Sequence, residues 1–291
     1  LSGEGYFRWF PKYVLAERAG QEKVTPSSEE RPMNWGNVFV WDGSGEDLDA
    51  CLEAVYKPTL RLLQAFRMRQ ATIGIRAQIL QDLARRKARW VLSSLRDLSV
   101  LHQVELALVQ DGDLPREVLE KSLREERDAL REALGADAIL RGLYAPAEQD
   151  PFELVDMYRA LGLRWVLLKR EQVLGPFVDL LDDTIYELGA PGKVYAYFPE
   201  ELSSRLFLEG QVPTSRQFRD HFPTKRDRKC YLITLLREAD LLGATRQTWD
   251  LLEDVYSDPS IRSWRLSTLE ELFTKRKLLD SSALPRLEAA G

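Results

Sequence analysis

From Thr59 to Leu95 the chain reads TLRLLQAFRMRQATIGIRAQILQDLARRKARWVLSSL, with leucine, isoleucine and phenylalanine recurring every three or four residues. That spacing stacks apolar side chains on one face of a 3.6-residue helix and predicts a single long helix, weakened only at Gly74. The same rhythm runs through much of the chain. EDLDACLEAVY follows Ser44 as a candidate N-cap, and Pro58 marks a kink or a fresh start. SVLHQVELALV reads as a further helix, ending at the turn DGDLP. PREVLEKSLREERDALREALG opens on Pro115 and stops at Gly135, with Leu119, Leu123, Leu130 and Leu134 as a seam that needs one facing helix. DPFELVDMYRALG, RWVLLKREQVLG and PFVDLLDDTIYELG continue the pattern, the first and last of them closed by Gly162 and Gly189. VYAYF, at 194–198, is the one strand-like run in this part of the chain.

Residues 1–45 break this rhythm. Tyr6, Phe7, Trp9, Phe10, Trp35 and Trp41 are scattered among prolines and glycines, and only NVFVW, followed by the turn DGSG, reads as a strand. Such an arm needs apolar surface to cover, either on the helices that follow or on a partner, and these six aromatics are the docking residues it offers. FRWFPKYV also has the Trp, Tyr and Lys content of a membrane-interface segment.

The C-terminal part carries the main candidate site. Pro199 opens the helix EELSSRLFLEG, Thr214 or Ser215 caps RQFRDHF, and Pro223–Thr224 lead into KRDRKCYLITLLREADLLG. TRQTWDLL and SIRSWRL then read as a strand pair, and TLEELFTKRKLL as a last helix. Helix, short helix, longer helix and strand pair over 199–266 resemble a winged helix-turn-helix. That resemblance implies that Arg226 and Lys229 approach base edges while Arg216 and Arg219 lie near phosphates. With Lys225 and Arg228 these cations form a basic knob, whose ligand is a nucleic acid or an acidic protein surface. The expected architecture is therefore mainly α: an aromatic arm (1–45), a helical bundle or hairpin body (46–190) and a winged-helix-like α/β module (191–291).

Charge narrows the partner. The chain of 291 residues has 41 Lys and Arg against 46 Asp and Glu, a net −5, so bulk attraction to polyanions is excluded and only a local patch can bind nucleic acid. Arg61, Arg67, Arg69, Arg76, Arg85, Arg86, Lys87 and Arg89 face the single acid Asp82 between residues 61 and 89, and the acids of 111–156 compensate them. Cys51 and Cys230 are the only cysteines, which points to a reducing compartment, the cytoplasm or an organelle matrix. No run of 18 apolar residues suggests a membrane span.

Chemistry-bearing motifs are sparse. His102 and His221 have no second ligand at metal spacing, and there is no phosphate-binding glycine loop or nucleophile elbow. Asp179, Asp182 and Asp183 share a predicted helix with Glu187, and GPFVDLLDDTIYELG resembles the aspartate-rich helix of all-helical isoprenoid synthases. The resemblance implies Mg²⁺ binding and a diphosphate substrate. The second acidic motif of that family has no counterpart downstream. The reading that best fits the sequence is a non-enzymatic interaction or assembly subunit with a protein partner and no cofactor. A nucleic-acid-binding regulator and a Mg²⁺-dependent helical enzyme are its alternatives.

Overall fold

Ala71–Ile75, Val104–Val109 and Trp165–Leu168 are apolar runs of four to six residues, each buried along its whole length. A run of that kind fits a strand covered on both faces, because a parallel sheet with helices outside leaves neither face wet. In the computed structural model these runs are central strands. The structure describes residues 32–45, 47–135, 140–146, 149–173, 185–189, 194–209, 214–222, 231–272 and 276–279.

The strands are β1 (Met33–Trp41), β2 (Ala71–Ile75), β3 (Val104–Val109), β4 (Leu140–Ala145), β5 (Trp165–Leu168), β6 (Ile185–Leu188), β7 (Tyr195–Tyr197), β8 (Tyr231–Arg237), β9 (Ile261–Trp264) and β10 (Arg276–Leu279). They form one sheet in the order β10-β6-β7-β5-β4-β3-β2-β1-β8. One edge of β1 is shared, with Met33–Gly36 pairing β9 and Val38–Trp41 pairing β2. Every pairing is parallel except β6 with β7.

The sheet curls. Between β7 and β8 in the strand order lie β5, β4, β3, β2 and β1. Even so, the rings of Tyr197 and Tyr231 are 6.3 Å apart, and Glu200 N donates to Ile233 O at 2.8 Å. The parallel run therefore closes most of a barrel.

Its interior is filled by alternate residues. Val38, Val40, Ala107 and Val109 on the first strands face Tyr144, Trp165, Tyr195, Tyr197 and Tyr231 on the later ones. Small residues make room for large ones: a Cβ on Gly142 would fall inside the Trp165 indole, and one on Gly74 would lie 3.2 Å from Val109 Cγ2. Gly74, read from sequence as a weak point of a helix, is thus a packing position on β2.

Helix Leu266–Leu272 plugs the end of the barrel where the strands begin. Leu266 N donates to Thr72 Oγ1 (3.1 Å), the Tyr197 hydroxyl donates to Leu266 O (2.9 Å), and Arg164 pairs with Glu270 at 2.7 Å. Inside, Glu105 accepts from Trp165 Nε1 (3.1 Å) and Ser267 N (3.0 Å). Burial raises the Glu105 carboxyl above the ordinary glutamate range, against the pull of those hydrogen bonds and of Arg265.

Helices cover the outside. Arg116–Leu134 buries Leu119, Leu123, Leu130 and Leu134, each worth about 1.5–3 kcal/mol when fully removed from water. The predicted seam is real, and it faces helix Ala77–Arg85, strand β3 and helix Arg89–Val100. Trp35 packs between Phe207 (5.8 Å) and Tyr256 (5.2 Å), and its Nε1 donates to Thr234 Oγ1 at 2.8 Å.

The expected fold class is corrected by this architecture. The chain is not a mainly helical bundle with a winged-helix-like module; it is a curled, mostly parallel sheet wrapped in helices. The long helix of 59–95 is helix Lys57–Ala65, strand β2, helix Ala77–Arg85 and the start of helix Arg89–Val100. In the expected longer helix KRDRKCYLITLLREADLLG, the part described from Tyr231 on is β8 followed by the short helix Glu238–Leu242. The expected strand TRQTWDLL belongs to helix Arg246–Ser257, whose Thr248, Leu251, Leu252, Val255 and Tyr256 make a buried helical stripe. Periodicity cannot separate a short buried strand from a turn or two of buried helix, which is the cause of the first two errors. In the third, the eight residues TRQTWDLL cover only part of the helical stripe.

Two outcomes test the packing. Gly142→Ala overfills the space held by Trp165 and should cost about 1–3 kcal/mol in denaturant unfolding, with a shift in tryptophan emission. Because the Glu105 carboxyl is raised in the folded state, its contribution to stability is complete at acid pH and is lost as pH rises through the folded value. Glu105→Gln should flatten the decline in unfolding free energy above the ordinary carboxyl range, measured by chemical denaturation as a function of pH.

Candidate active site

In curled parallel sheets the loops after the strands converge at one end, and that mouth is where reactive groups collect. Here it is formed by the residues that follow β1, β2, β3, β4, β5 and β8. Asp42 leaves β1 and accepts from Ser44 N (3.1 Å) and Ser44 Oγ (2.5 Å), which folds the loop back on itself around Gly43 at φ +75°. Arg237 ends β8 and donates twice to Asp240, at 3.0 and 3.2 Å, from the first turn of helix Glu238–Leu242. After β2 and β3, Arg76 and Asp111 form an ion pair at 2.7 Å.

Tyr144 rises from the interior of β4 toward this rim and is 2 % exposed. Burial pushes its phenol up to about 12; Arg237 pulls the other way, and Asp42 and Asp240 add to the rise. Tyr144 on β4 and Arg237 on β8 therefore act on each other at the mouth, and each also feels Asp42 on the loop after β1 and Asp240 on the helix after β8. The phenol stays a hydrogen-bond donor at neutral pH, and two carboxyl groups share its surroundings.

Behind them lies Glu238, 1 % exposed. It accepts from Gly43 N (3.3 Å), Gly45 N (3.1 Å), Cys51 Sγ (3.2 Å) and the Tyr56 hydroxyl (2.8 Å). Burial, reinforced by Glu238, pushes the Cys51 thiol up to about 12 and the Tyr56 phenol higher still. Cys51 is an inert buried thiol in this setting.

None of Asp42, Tyr144, Arg237, Glu238 and Asp240 is marked by the sequence motifs. The available signals were the turn DGSG directly after a strand-like run, and the three charged residues Arg237, Glu238 and Asp240 interrupting an apolar segment. The sequence-predicted residues that the structure describes lie elsewhere. Arg216 is exposed on helix Ser215–His221, and Arg219 on the same helix donates to Ser260 Oγ at 2.7 Å, next to the start of β9 and away from the mouth. Trp35 and Trp41 are fully buried in β1, with Trp41 against Tyr56 at 4.5 Å. Tyr6, Phe7, Trp9, Phe10, Lys225, Arg226, Arg228 and Lys229 lie outside the described residues, as do Asp179, Asp182 and Asp183. Among the described residues no three His, Cys, Asp or Glu side chains are grouped to hold a metal ion, and no helix is long and apolar enough to cross a membrane.

No protein-family model and no curated protein matches the chain. Solved structures do match its fold. The 4-alpha-glucanotransferase of Thermococcus litoralis superposes with a TM-score of 0.64 at 16% identity, over 86% of this chain and 42% of that one. The GH57-type branching enzyme of Pyrococcus horikoshii gives 0.63 at 10% identity, over 85% of this chain and 71% of that one. The GH57 branching enzyme TK1436 of Thermococcus kodakaraensis, solved with glucose, gives 0.61 at 10% identity, over 86% and 72%. The chain thus spans less than half of the glucanotransferase and nearly three quarters of the branching enzymes. These likenesses correct the functional expectations drawn from sequence. A non-enzymatic helical assembly subunit, a DNA-binding winged helix and an all-helical Mg²⁺ enzyme all presuppose a helical fold. The observed fold is one shared with carbohydrate-processing enzymes.

Proposed function

We propose that this chain is the barrel of a carbohydrate-processing enzyme that hydrolyses or transfers glycosyl units of an α-glucan at the mouth of its curled sheet. The observation that carries this reading is that Asp42 and Asp240 follow the paired parallel strands β1 and β8 at one end of the curled sheet, on a fold shared across 85–86% of the chain with a glucanotransferase and two branching enzymes. Glycosidic cleavage needs two carboxyl groups, one to protonate the departing oxygen and one to attack the anomeric carbon or activate the nucleophile. Asp240, its orientation set by the two hydrogen bonds that Arg237 donates to it, is assigned the attacking role. Asp42, on the loop after β1, is assigned the proton donor. A second sugar or water then takes the glycosyl group, which is the step that separates transfer from hydrolysis. Arg237 supplies donors for sugar hydroxyls or for negative charge that develops at the reacting centre.

The test is incubation of the protein with maltoheptaose and with amylose, followed by chromatography of the products. The wild-type protein should redistribute or shorten the chains. Asp42→Asn and Asp240→Asn should each lower kcat by about 100-fold or more, in line with the loss of a positioned acid or base, while the thermal unfolding midpoint stays near that of wild type. A folded wild-type protein that leaves both glucans intact would overturn the reading.

A further inference from the structure

We propose that Glu238 is a positioning residue which fixes Asp42 relative to Asp240 and so sets the geometry of the mouth; this rests on the glucan-processing reading above. A carboxylate has about four acceptor sites. All four donors that reach Glu238 come from the β1 side: two backbone amides of the loop that carries Asp42, then Cys51 and Tyr56 on the helical segments after it. Glu238 itself belongs to the other side of the mouth. It follows Arg237 directly and opens the short helix that holds Asp240.

One buried side chain thus joins the two segments that bear the carboxyl pair. With its lone pairs filled and 1 % of its surface exposed, it is not offered to substrate as an acid or base. The loop is also held from its own side. A Cβ on Gly45 would collide with Cys51 Sγ and come within 2.8 Å of Glu238 Oε1, so the backbone approaches the carboxylate as closely as only glycine permits. The Tyr56 hydroxyl and the Cys51 thiol are buried donors, for which an unpaired state is costly. The half-buried Gly45 amide and the Gly43 amide join them on the same carboxylate, so these bonds together oppose release of the loop. A loop bearing a reacting group that moves by an ångström loses rate at the chemical step, which separates positioning from general stability.

The experiment compares wild type with Glu238→Gln and Tyr56→Phe. Tyr56→Phe removes a single donor, which leaves a folded protein to measure should Glu238→Gln not fold. Leu130→Ala, in the outer helix Arg116–Leu134, is the destabilised control. Hydrogen exchange of the Gly43–Gly45 amides is measured in all four proteins, with kcat and KM on maltoheptaose. Both mouth variants should raise exchange of those amides by about tenfold or more through local opening. They should lower kcat by about tenfold, as a lost orientation does, with KM within about twofold of wild type. Leu130→Ala should shift the unfolding midpoint and leave exchange at Gly43–Gly45 and kcat per folded molecule unchanged. Unchanged exchange in the mouth variants overturns the clamp whatever the activity. Raised exchange with unchanged kcat overturns its role in positioning. A wild-type protein inactive on glucans, with exchange raised in both variants, overturns the glucan reading and leaves the clamp itself standing.

Discussion

The contact between Tyr197 and Tyr231 is possible only because the sheet between them bends back on itself. Parallel strands twist with one hand, and strands crossed over by helices accumulate that twist until the two ends of the run approach. The bend creates an interior, and an interior has to be filled. Bulky rings from β4, β5, β7 and β8 meet small residues from β1, β2 and β3, and Gly142 leaves room for the Trp165 indole. The helix Leu266–Leu272 then seals one end, held by polar atoms that the curl places within reach: Thr72, Glu105, Tyr197 and Arg164.

With one end sealed, the charged groups that keep contact with water lie at the other. The plug consumes the polar groups near the strand starts in structural bonds, and Glu105, buried and bonded at two oxygens, is spent there. At the strand ends, Asp42, Arg76, Asp111, Arg237 and Asp240 keep part of their surface in water. Arg76 pairs with Asp111 and Arg237 with Asp240, so the mouth is a charged region bonded largely within itself. The buried Glu238 is the exception, since it joins the frame to the rim.

The parts of the fold most legible in sequence were those with an end signal or a clean stripe. Pro115 and Gly135 bracket the helix Arg116–Leu134, Gly162 follows the helix Pro151–Ala160, and Thr214 caps Ser215–His221. NVFVW and VYAYF were legible as strands because aromatic and β-branched residues fill them. The illegible parts were ATIGI, VELALV, WVLL and YLITLL, whose apolar residues sit next to helical stretches and lend themselves to the same three-four spacing. The candidate site was less legible still. Asp42 and Asp240 are almost 200 positions apart, and neither sits in a motif; only the parallel pairing of β1 with β8 brings their segments together.

By itself the sequence determined a globular chain with enough apolar residues for a large core, near-balanced charge, and several helices whose ends are written in proline, glycine and hydroxyl residues. Those properties are local, set by one residue and its neighbours within a turn or two. Tertiary structure alone decided that the intervening apolar runs are strands, that they curl, and that charged residues from opposite ends of the chain share one mouth. Strand pairing joins residues far apart in sequence, and its stabilisation comes from burial against partners that no local spacing records.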